Sequence, residues 1–486
     1  MDYYFKKDSY LNNLLRQIYR IARRKRLSLY LVGGCLRDML LKRKRPNPDI
    51  DFCLKRGAIN FGKDLKKRLK AGFVILDKER GYCRLIKKTD DKMYTLDFTD
   101  FRGDTLEGDL LCRDFTINAM ALKLEDLFIR SRACLDDLLV DPYGGVRDLK
   151  AKVIRIVHTD NFDGDPLRIL RAFSLSGLFD FEIDKDTLRL IKLKHRKLRD
   201  VSGERIRDEL FKILEKNDSF RYIDQMDRLK VLESIIPEIS VMRGIKQGPY
   251  HHLDVWKHSL ETLRQLEELI KEFRRNRDIL DYLNENISIG RSRQALMKLG
   301  ALLHDIGKPK AKRQKNGKTL FYGHERIGLK FVEEIGKHLR LSNDEIDSLE
   351  KMVLWHLRPG YLTDNERITA RAIFRYYRDT GQESVSVLMI SIADQRATRG
   401  PLTSKKSRIQ HEEIAKDLIK EYFKRQRVQK PARLITGDDL IERFKLQPSP
   451  LIGRILRQIE ELQAIGKIKT KAEALVAVKK YLEKLC

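Results

Sequence analysis

The spacing of apolar residues changes character several times along the chain and divides it into segments. The first 25 residues carry Leu11, Leu14, Leu15 and Ile18 on one side with basic residues behind, which predicts an amphipathic helix. From Leu27 the pattern tightens to LSLYLV, a short β-rich run ending at Gly33-Gly34, and CLRDMLLKRK then returns to helical spacing. After the turn residues Pro46, Asn47 and Pro48, the runs DIDFCLK, YTLDFTDF and KVIRIV each read as strands, separated by helices. Together these predict a mixed α/β unit of about 130 residues. Beyond Asn161 the strand signal fades, and segments such as DPLRILRAFSLSGLF and SGERIRDELFKILEK predict an all-α remainder. The last stretch, from LITGDDLIERF onward, reads as a small helical module punctuated by Pro and Gly.

Length and charge narrow the function. At roughly 100 to 200 residues per domain, 486 residues imply three or four domains. Lys and Arg total 100 against 71 Asp and Glu, a formal charge of +29, which calls for a polyanionic partner. Without a lipidation signal or amphipathic anchor, nucleic acid is favoured over an acidic membrane surface. The start, MDYYFKKDSYLNNLLRQ, lacks the apolar region of a secretory signal, and no run of about 18 apolar residues occurs, so the expected address is the cytoplasm with no membrane partner. The six cysteines, Cys35, Cys53, Cys83, Cys112, Cys134 and Cys486, form no CxxC pair and read as reduced thiols.

Candidate chemistry begins at Asp49 and Asp51. One residue apart in an apolar strand, they share a face. A surface strand carries two such charges harmlessly, but here a strand, Gly33-Gly34 and a helix precede them, an arrangement whose backbone N–H groups face a phosphate. Arg37, on the first turn of that helix, is placed to add a forked cation. Asp97 in LDFTDF is a third carboxylate able to join the pair in holding two Mg²⁺ ions through oxygen ligands, a site suited to in-line nucleotidyl transfer. Asp100 lies an odd number of residues from Asp97 and is expected on the opposite face.

The strings LVGGCLRDMLL with DIDF, LDFTDFRG, CRDFTINAMA, DPYGGVRDL, GDPLRILRAF and SGERIRDELFKIL occur in this order over roughly residues 27 to 215. The chain thereby resembles the class II tRNA nucleotidyltransferases and bacterial poly(A) polymerases of the polymerase-β-like superfamily. The resemblance implies base choice without a template. Asp165 and Arg168 of GDPLR, three apart on a helix, would accept from an exocyclic amino group and donate to the adjacent ring nitrogen, which fits cytosine and adenine. The plainer role for Asp165 is an N-cap. Arg171 resembles a triphosphate contact, and Arg113, Asp114 and Asn118 match the family's nucleotide and sugar contacts; the plainer role for Asn118 is a buried polar anchor. Cys112 and Gly164 stand where the family commonly has Arg and Glu. The stretch between Arg102 and Asp109 is shorter than the flexible loop of many CCA-adding members, which puts addition of the terminal A in question.

Seven histidines gather between about Tyr250 and Thr398. His304-Asp305 interrupts an apolar helix, ALLHDIGKPK, where two polar groups are costly unless liganded. The pair resembles the HD phosphohydrolase superfamily, whose upstream His and distant Asp are matched by His258 and Asp394, with His324 and His356 matching the version that holds further metal or contacts phosphate. Imidazole and carboxylate suit Mn²⁺, Ni²⁺, Fe²⁺ or Mg²⁺. Some family members carry this domain behind the polymerase and use it on 2′,3′-cyclic phosphate or phosphate ends; a retained scaffold is the alternative.

The sequence therefore predicts an α+β protein: a polymerase-β-like nucleotidyltransferase head (1–160), an all-α neck that reads the base (161–235), an HD-type helical body (236–400) and a basic linker with a helical tRNA-binding tail (401–486). The expected activity is template-independent addition of C, with A in question, to tRNA from CTP and ATP with Mg²⁺. A CC-adding specialist with a separate A-adding partner and a poly(A) polymerase are the near alternatives. An HD phosphohydrolase with an RNA-binding front half is the distant one. Expected RNA-binding surfaces are IKLKHRKLR, Lys405 to Arg433, GRILRQ and GKIKTK.

Overall fold

The computed structural model describes residues 9–43, 47–129, 135–363, 368–427 and 432–483. The chain forms two compact units, residues 1–210 with 225–235, and residues 211–224 with 236–486.

The first unit is built on a seven-stranded sheet. Its strands are β1 (Tyr30–Val32), β2 (Asp49–Leu54), β3 (Gly72–Asp77), β4 (Tyr82–Lys88), β5 (Met93–Asp100), β6 (Ala121–Lys123) and β7 (Leu139–Val140), in the order β3-β4-β5-β2-β1-β6-β7. β2 runs parallel to β5, and the other neighbours are antiparallel. Alternation gives each central strand an apolar face: Phe52 stacks on Phe98 with ring centroids 4.7 Å apart, and Phe61 of the Ala58–Leu69 helix meets Phe98 edge-on at 5.6 Å. The Ser9–Arg24 helix buries Leu11, Leu14, Leu15 and Ile18, the stripe its sequence marks out.

Two strand expectations need correction. KVIRIV contributes only Val153–Ile154, paired in parallel with Glu182–Ile183 outside the large sheet. The backbone beyond it bonds to a loop: Thr116 N–H donates to Arg155 O (2.9 Å) and Val157 N–H to Asp114 O (3.2 Å). GFVILD and YCRLIKK, which the strand expectations do not include, form β3 and β4; β3 is an edge strand whose Val74, Ile75 and Leu76 are exposed, so its apolar pattern does not alternate.

The second unit is mainly helical. Helices Arg293–Leu303 and Ser384–Ala397 are buried almost all round and form its centre, with Val255–Glu272, His324–His338 and Asn343–Trp355 around them. The all-α expectation needs a small correction here, because two-stranded ribbons occur at Asn286–Ser288 with Arg291–Ser292 and at Arg313–Lys315 with Lys318–Leu320. The C-terminal helices Gly437–Phe444, Pro450–Ala464 and Lys471–Glu483 enclose a small core of Leu440, Ile455, Ile459, Ala474 and Val478. Among the described residues no helix is long and apolar enough to cross a membrane. Cys35, Cys53, Cys83 and Cys112 are free thiols, while Cys134 and Cys486 lie outside the described residues.

Gly307 marks the closest backbone approach in this unit. A Cβ there would lie 2.7 Å from Gly328 N and overlap the carbonyl of His324. Gly307→Ala must therefore push the His324–His338 helix away, at an overpacking cost of about 1–3 kcal/mol. The expected outcome is a lowered unfolding midpoint of the full chain in calorimetry.

Candidate active site

Period-two alternation sends Asp49, Asp51 and Cys53 to one face of β2 and Ile50, Phe52 and Leu54 to the other. The parallel register sets Asp51 opposite Asp97. One carboxylate oxygen from each of Asp49, Asp51 and Asp97 lies within 4.8 Å of the other two, and the side chains are graded from exposed Asp49 to buried Asp97. Asp100 lies on the other face, where its carboxylate accepts from Ala58 N–H (2.8 Å) at the start of a helix. The Gly-Gly turn closes over the acids. Gly33 has φ 75°, and a Cβ there would sit 2.9 Å from Asp51 Oδ2 and 3.2 Å from Arg113 Nη1, so only glycine fits both the backbone and the space. A Cβ on Gly34 would sit 3.0 Å from Arg37 Nη2. Burial, then the Asp51 charge, pushes the Cys35 thiol up to about 12, which keeps it neutral beside the acids.

Asp97 is clamped from the neighbouring strand. Arg84 donates from Nε (2.8 Å) and Nη2 (2.7 Å), and the Tyr82 hydroxyl donates at 2.5 Å. Sequence reasoning missed both residues. Their alternation along YCRLIKK is a signal, but it acquires meaning only once β4 is known to pair with β5 in the register Arg84 opposite Asp97.

Arg37 does not stand free toward a phosphate. It is 3% exposed, bonded to Asp38 (3.0 and 3.1 Å) and to Asn118 Oδ1 (2.5 Å), with its guanidinium 4.5 Å from the Phe179 ring centre. A guanidinium turned inward needs a counter-charge, and Asp38 supplies it. Asn118 passes the chain on to Asp114 Oδ1 (2.9 Å), and Arg171 grips Asp114 Oδ2 from Nε (3.0 Å) and Nη2 (2.7 Å). Burial raises the Asp114 carboxyl, but Arg171 and the donors Asn118 and Phe115 N–H outweigh it and hold it at about 2. Arg113 is paired with Asp109 at 3.0 Å.

Asp165 and Arg168 do not share a helix. The helix starts at Arg168, whereas Asp165 is extended (φ −151°, ψ 95°), because Pro166 disfavours helical backbone before it. Asp165 pairs with Arg205 (2.9 Å), and Arg168 donates to the carbonyls of Cys112 (2.8 Å), Asn161 (3.3 Å) and Arg113 (3.4 Å). The stretch after Arg102 runs directly into the helix Leu106–Leu111, capped by Thr105. A Cβ on Gly164 would meet nothing within 4 Å.

The second unit brings together His258, His304, Asp305, His324, His356 and Asp394. His304 and His356 follow the last turns of two helices, and His324 begins a third. Each places Nδ1 against the carbonyl three residues earlier, Ala301 (2.8 Å), Phe321 (2.9 Å) and Val353 (2.7 Å). These bonds fix the tautomer and turn the Nε2 lone pairs inward. Two ligand trios result, His258-His304-Asp305 and Asp305-His324-His356, with Asp305 in both and oxygen or nitrogen donors within 4.8 Å. Asp394 accepts at 2.8 Å from His258 Nε2. His304 Nε2 is buried without a hydrogen-bond partner among the described residues, as expected of a group shaped to bind metal. Burial followed by the charge of His304 drives His356 down to about 3, so it is a neutral donor. Two further groups escaped the sequence reading: the His251 ring, 4.8 Å from that of His258, and Lys308, whose Nζ lies 2.6 Å from Asp305 Oδ2 and from Gln247 Oε1. The i, i+3 spacing of Asp305 and Lys308 was a legible signal for the latter.

Comparison with known proteins agrees with this geometry. Residues 29–155 match the poly A polymerase head domain, 180–242 a probable RNA and SrmB-binding site of polymerase A, and 255–399 the HD domain. The chain is 30% identical to an A-adding tRNA nucleotidyltransferase of Deinococcus radiodurans, covering 93% of this chain and 95% of that relative. This chain belongs to the tRNA nucleotidyltransferase family. A second family member, the CC-adding enzyme of Geobacter sulfurreducens, is 29% identical over 94% of this chain and 93% of its own. The CCA-adding enzyme of Thermotoga maritima complexed with tRNA shares the fold, with a TM-score of 0.64 at 24% identity over 97% of this chain and 96% of that one.

For this nucleotidyltransferase the Asp114 pair has a pH signature. A carboxylate held at about 2 in the folded state and near 3.9 unfolded stabilises above the unfolded value and loses that contribution as pH falls from about 4 toward 2. Asp114→Asn is expected to lower the urea midpoint at pH 7 and to flatten its decline on acidification. A wild-type slope retained in the variant would show that the pair contributes nothing.

Proposed function

We propose that the first unit adds CMP from CTP to the 3′ end of tRNA, using Asp49, Asp51 and Asp97, and that the second unit hydrolyses phosphate or 2′,3′-cyclic phosphate at RNA ends. The reading keeps the division into head (1–160), neck (161–235), HD body (236–400) and tail (401–486). The observation that carries it is the three-carboxylate cluster beneath the Gly33 turn. The donor set is all oxygen, which suits Mg²⁺. Bound there, Mg²⁺ would neutralise triphosphate charge and lower the pKa of the attacking ribose hydroxyl.

The chain's own residues do the rest. Asp97, held by Arg84 and Tyr82, keeps a fixed orientation toward its two partners. Arg113, beside Gly33, and Arg171 are cations for the triphosphate and sugar, with Gly34, Asp114 and Asn118 shaping the pocket and Arg37 supporting Asn118 from below. Asp165 and Arg168 would read the amino group and ring nitrogen of cytosine, exchanging Arg205 and the backbone carbonyls for the base. The directly capped helix after Arg102 supports a reaction that ends at CC. Addition of A is the second reading, favoured by the likeness to the A-adding relative. In the HD body, His258, His304, Asp305 and Asp394, with His324 and His356, would hold Mn²⁺, Ni²⁺, Fe²⁺ or Mg²⁺, and Lys308 would face the phosphate.

The test offers tRNA ending at the discriminator base, or in CC, with CTP and ATP separately, and resolves products to one nucleotide. C addition alone is expected. Extension only of the CC-ended tRNA by ATP would replace this reading with A addition, and no extension of either would refute it. Asp49→Ala with Asp51→Ala should reduce incorporation by more than about a hundredfold while the tRNA Kd changes only a few fold. His304→Ala should spare incorporation and remove metal-dependent hydrolysis of 2′,3′-cyclic AMP.

A further inference from the structure

Between Asp305 and Glu325, two side chains of the HD segment, the chain carries six cations, Lys308, Lys310, Lys312, Arg313, Lys315 and Lys318, and no acidic residue. Arg313, Lys315 and Lys318 sit on an exposed two-stranded ribbon, Arg313–Lys315 against Lys318–Leu320, and exposed Lys312 immediately precedes it. Asn316 and Gly317 both have positive φ (51° and 71°), the tight turn that matches strand twist. The register sets Lys315 directly opposite Lys318, a like-charge pair that destabilises an isolated ribbon. Such a pair is explained when an anion lies across it. At the inner end Lys308 already reaches Asp305, so basic residues follow one another in the chain from the His304-Asp305 cluster to the ribbon tip.

An exposed aromatic ring follows the ribbon in the chain. Tyr322 is 81% exposed, in the turn where His324 N–H donates to Phe321 O (3.2 Å), one residue from the carbonyl that also anchors His324 Nδ1. Tyr361, five residues beyond His356, and Tyr250, next to His251, are 64% and 56% exposed. Among the described residues Tyr10 is the only other exposed tyrosine. Exposed rings beside a cationic track are the recognition elements of single-stranded nucleic acid, since bases stack on the rings while cations follow the phosphates. A mononucleotide, with one phosphate, would leave the outer ribbon unused.

We propose that the 312–320 ribbon and Tyr322 clamp single-stranded RNA and lead its 3′ end to the His304-Asp305 site. This rests on reading that site as a phosphohydrolase of RNA ends. The full-length protein with Mn²⁺ is assayed on 2′,3′-cyclic AMP and on a short single-stranded RNA ending in 2′,3′-cyclic phosphate. Combined Lys312→Ala, Arg313→Ala, Lys315→Ala and Lys318→Ala is expected to raise the oligonucleotide KM at least tenfold and to reduce its log–log salt slope by about 2–3. Tyr322→Ala should raise that KM about fivefold or more, and Tyr322→Phe should restore it; all variants should hydrolyse 2′,3′-cyclic AMP as before. Equal losses on both substrates, or an unchanged oligonucleotide KM, would overturn the clamp. Loss of binding to anionic lipid vesicles with RNA kinetics unchanged would assign the ribbon to a membrane instead. Should the unaltered protein hydrolyse neither substrate, the phosphohydrolase reading fails by itself. The clamp is then decided by photo-crosslinking RNA carrying 4-thiouridine next to its 3′ end, where adducts within residues 308–326 support it and adducts only elsewhere refute it.

Discussion

Mutual repulsion among three carboxylates is the constraint around which the sheet of the first unit is arranged. Carboxylate oxygens within 4.8 Å of one another repel by several kcal/mol per pair, about 3 or more at an effective dielectric near 20. The sheet does not relieve this by separation, because the parallel register of β2 and β5 forces Asp51 and Asp97 side by side. It relieves it by placing cations at two edges of the cluster. Arg84 comes across from β4 onto Asp97, and Arg113 sits at the Gly33 turn near Asp51. A divalent cation held among the three carboxylates would offset the negative charge they share.

The second unit meets a related problem with donors placed at helix ends. Four histidines and two aspartates cannot be buried together as an all-charged set. Helix ends resolve the conflict, since a histidine at a helix terminus finds a backbone carbonyl three residues back for Nδ1 and leaves Nε2 available. Five helices thus deliver the six donor groups, His304 and Asp305 both following the Arg293–Leu303 helix. The same arrangement explains Gly307, since the His324 helix must approach the His304-Asp305 turn at backbone contact.

How much was legible follows from these two cases. Period-two spacing was enough to place Asp49 and Asp51 on one face and Asp100 opposite Asp97, because alternation is local. Histidine and aspartate positions in the second unit were legible through their motif. Tyr82 and Arg84 were not, because their role depends on which strand lies beside β5, and pairing partners leave no trace in a single strand's pattern. Arg37 was misjudged for a similar reason: position on the first turn of a helix says nothing about which way that helix faces. Asp165 failed on a local rule that was available, the bias of a residue before proline against helix. The basic ribbon was overlooked because a search for large charge excess favours long runs.

Net charge conveys the sign of a partner but not its place. Of the surfaces expected to grip RNA, several have their cations already engaged. Lys194 and Lys197 share Asp163, and in the Lys405–Gln426 helix Lys416, Lys420 and Arg425 pair with Glu412, Asp417 and Glu421. Exposed pairs of this kind contribute about 0–1 kcal/mol to stability, yet each must be broken or shared before its cation can meet a phosphate. A polyanion therefore gains most where cations stand without acidic neighbours. A short segment free of Asp and Glu, such as 306–324, can outweigh a longer run whose formal charge is larger.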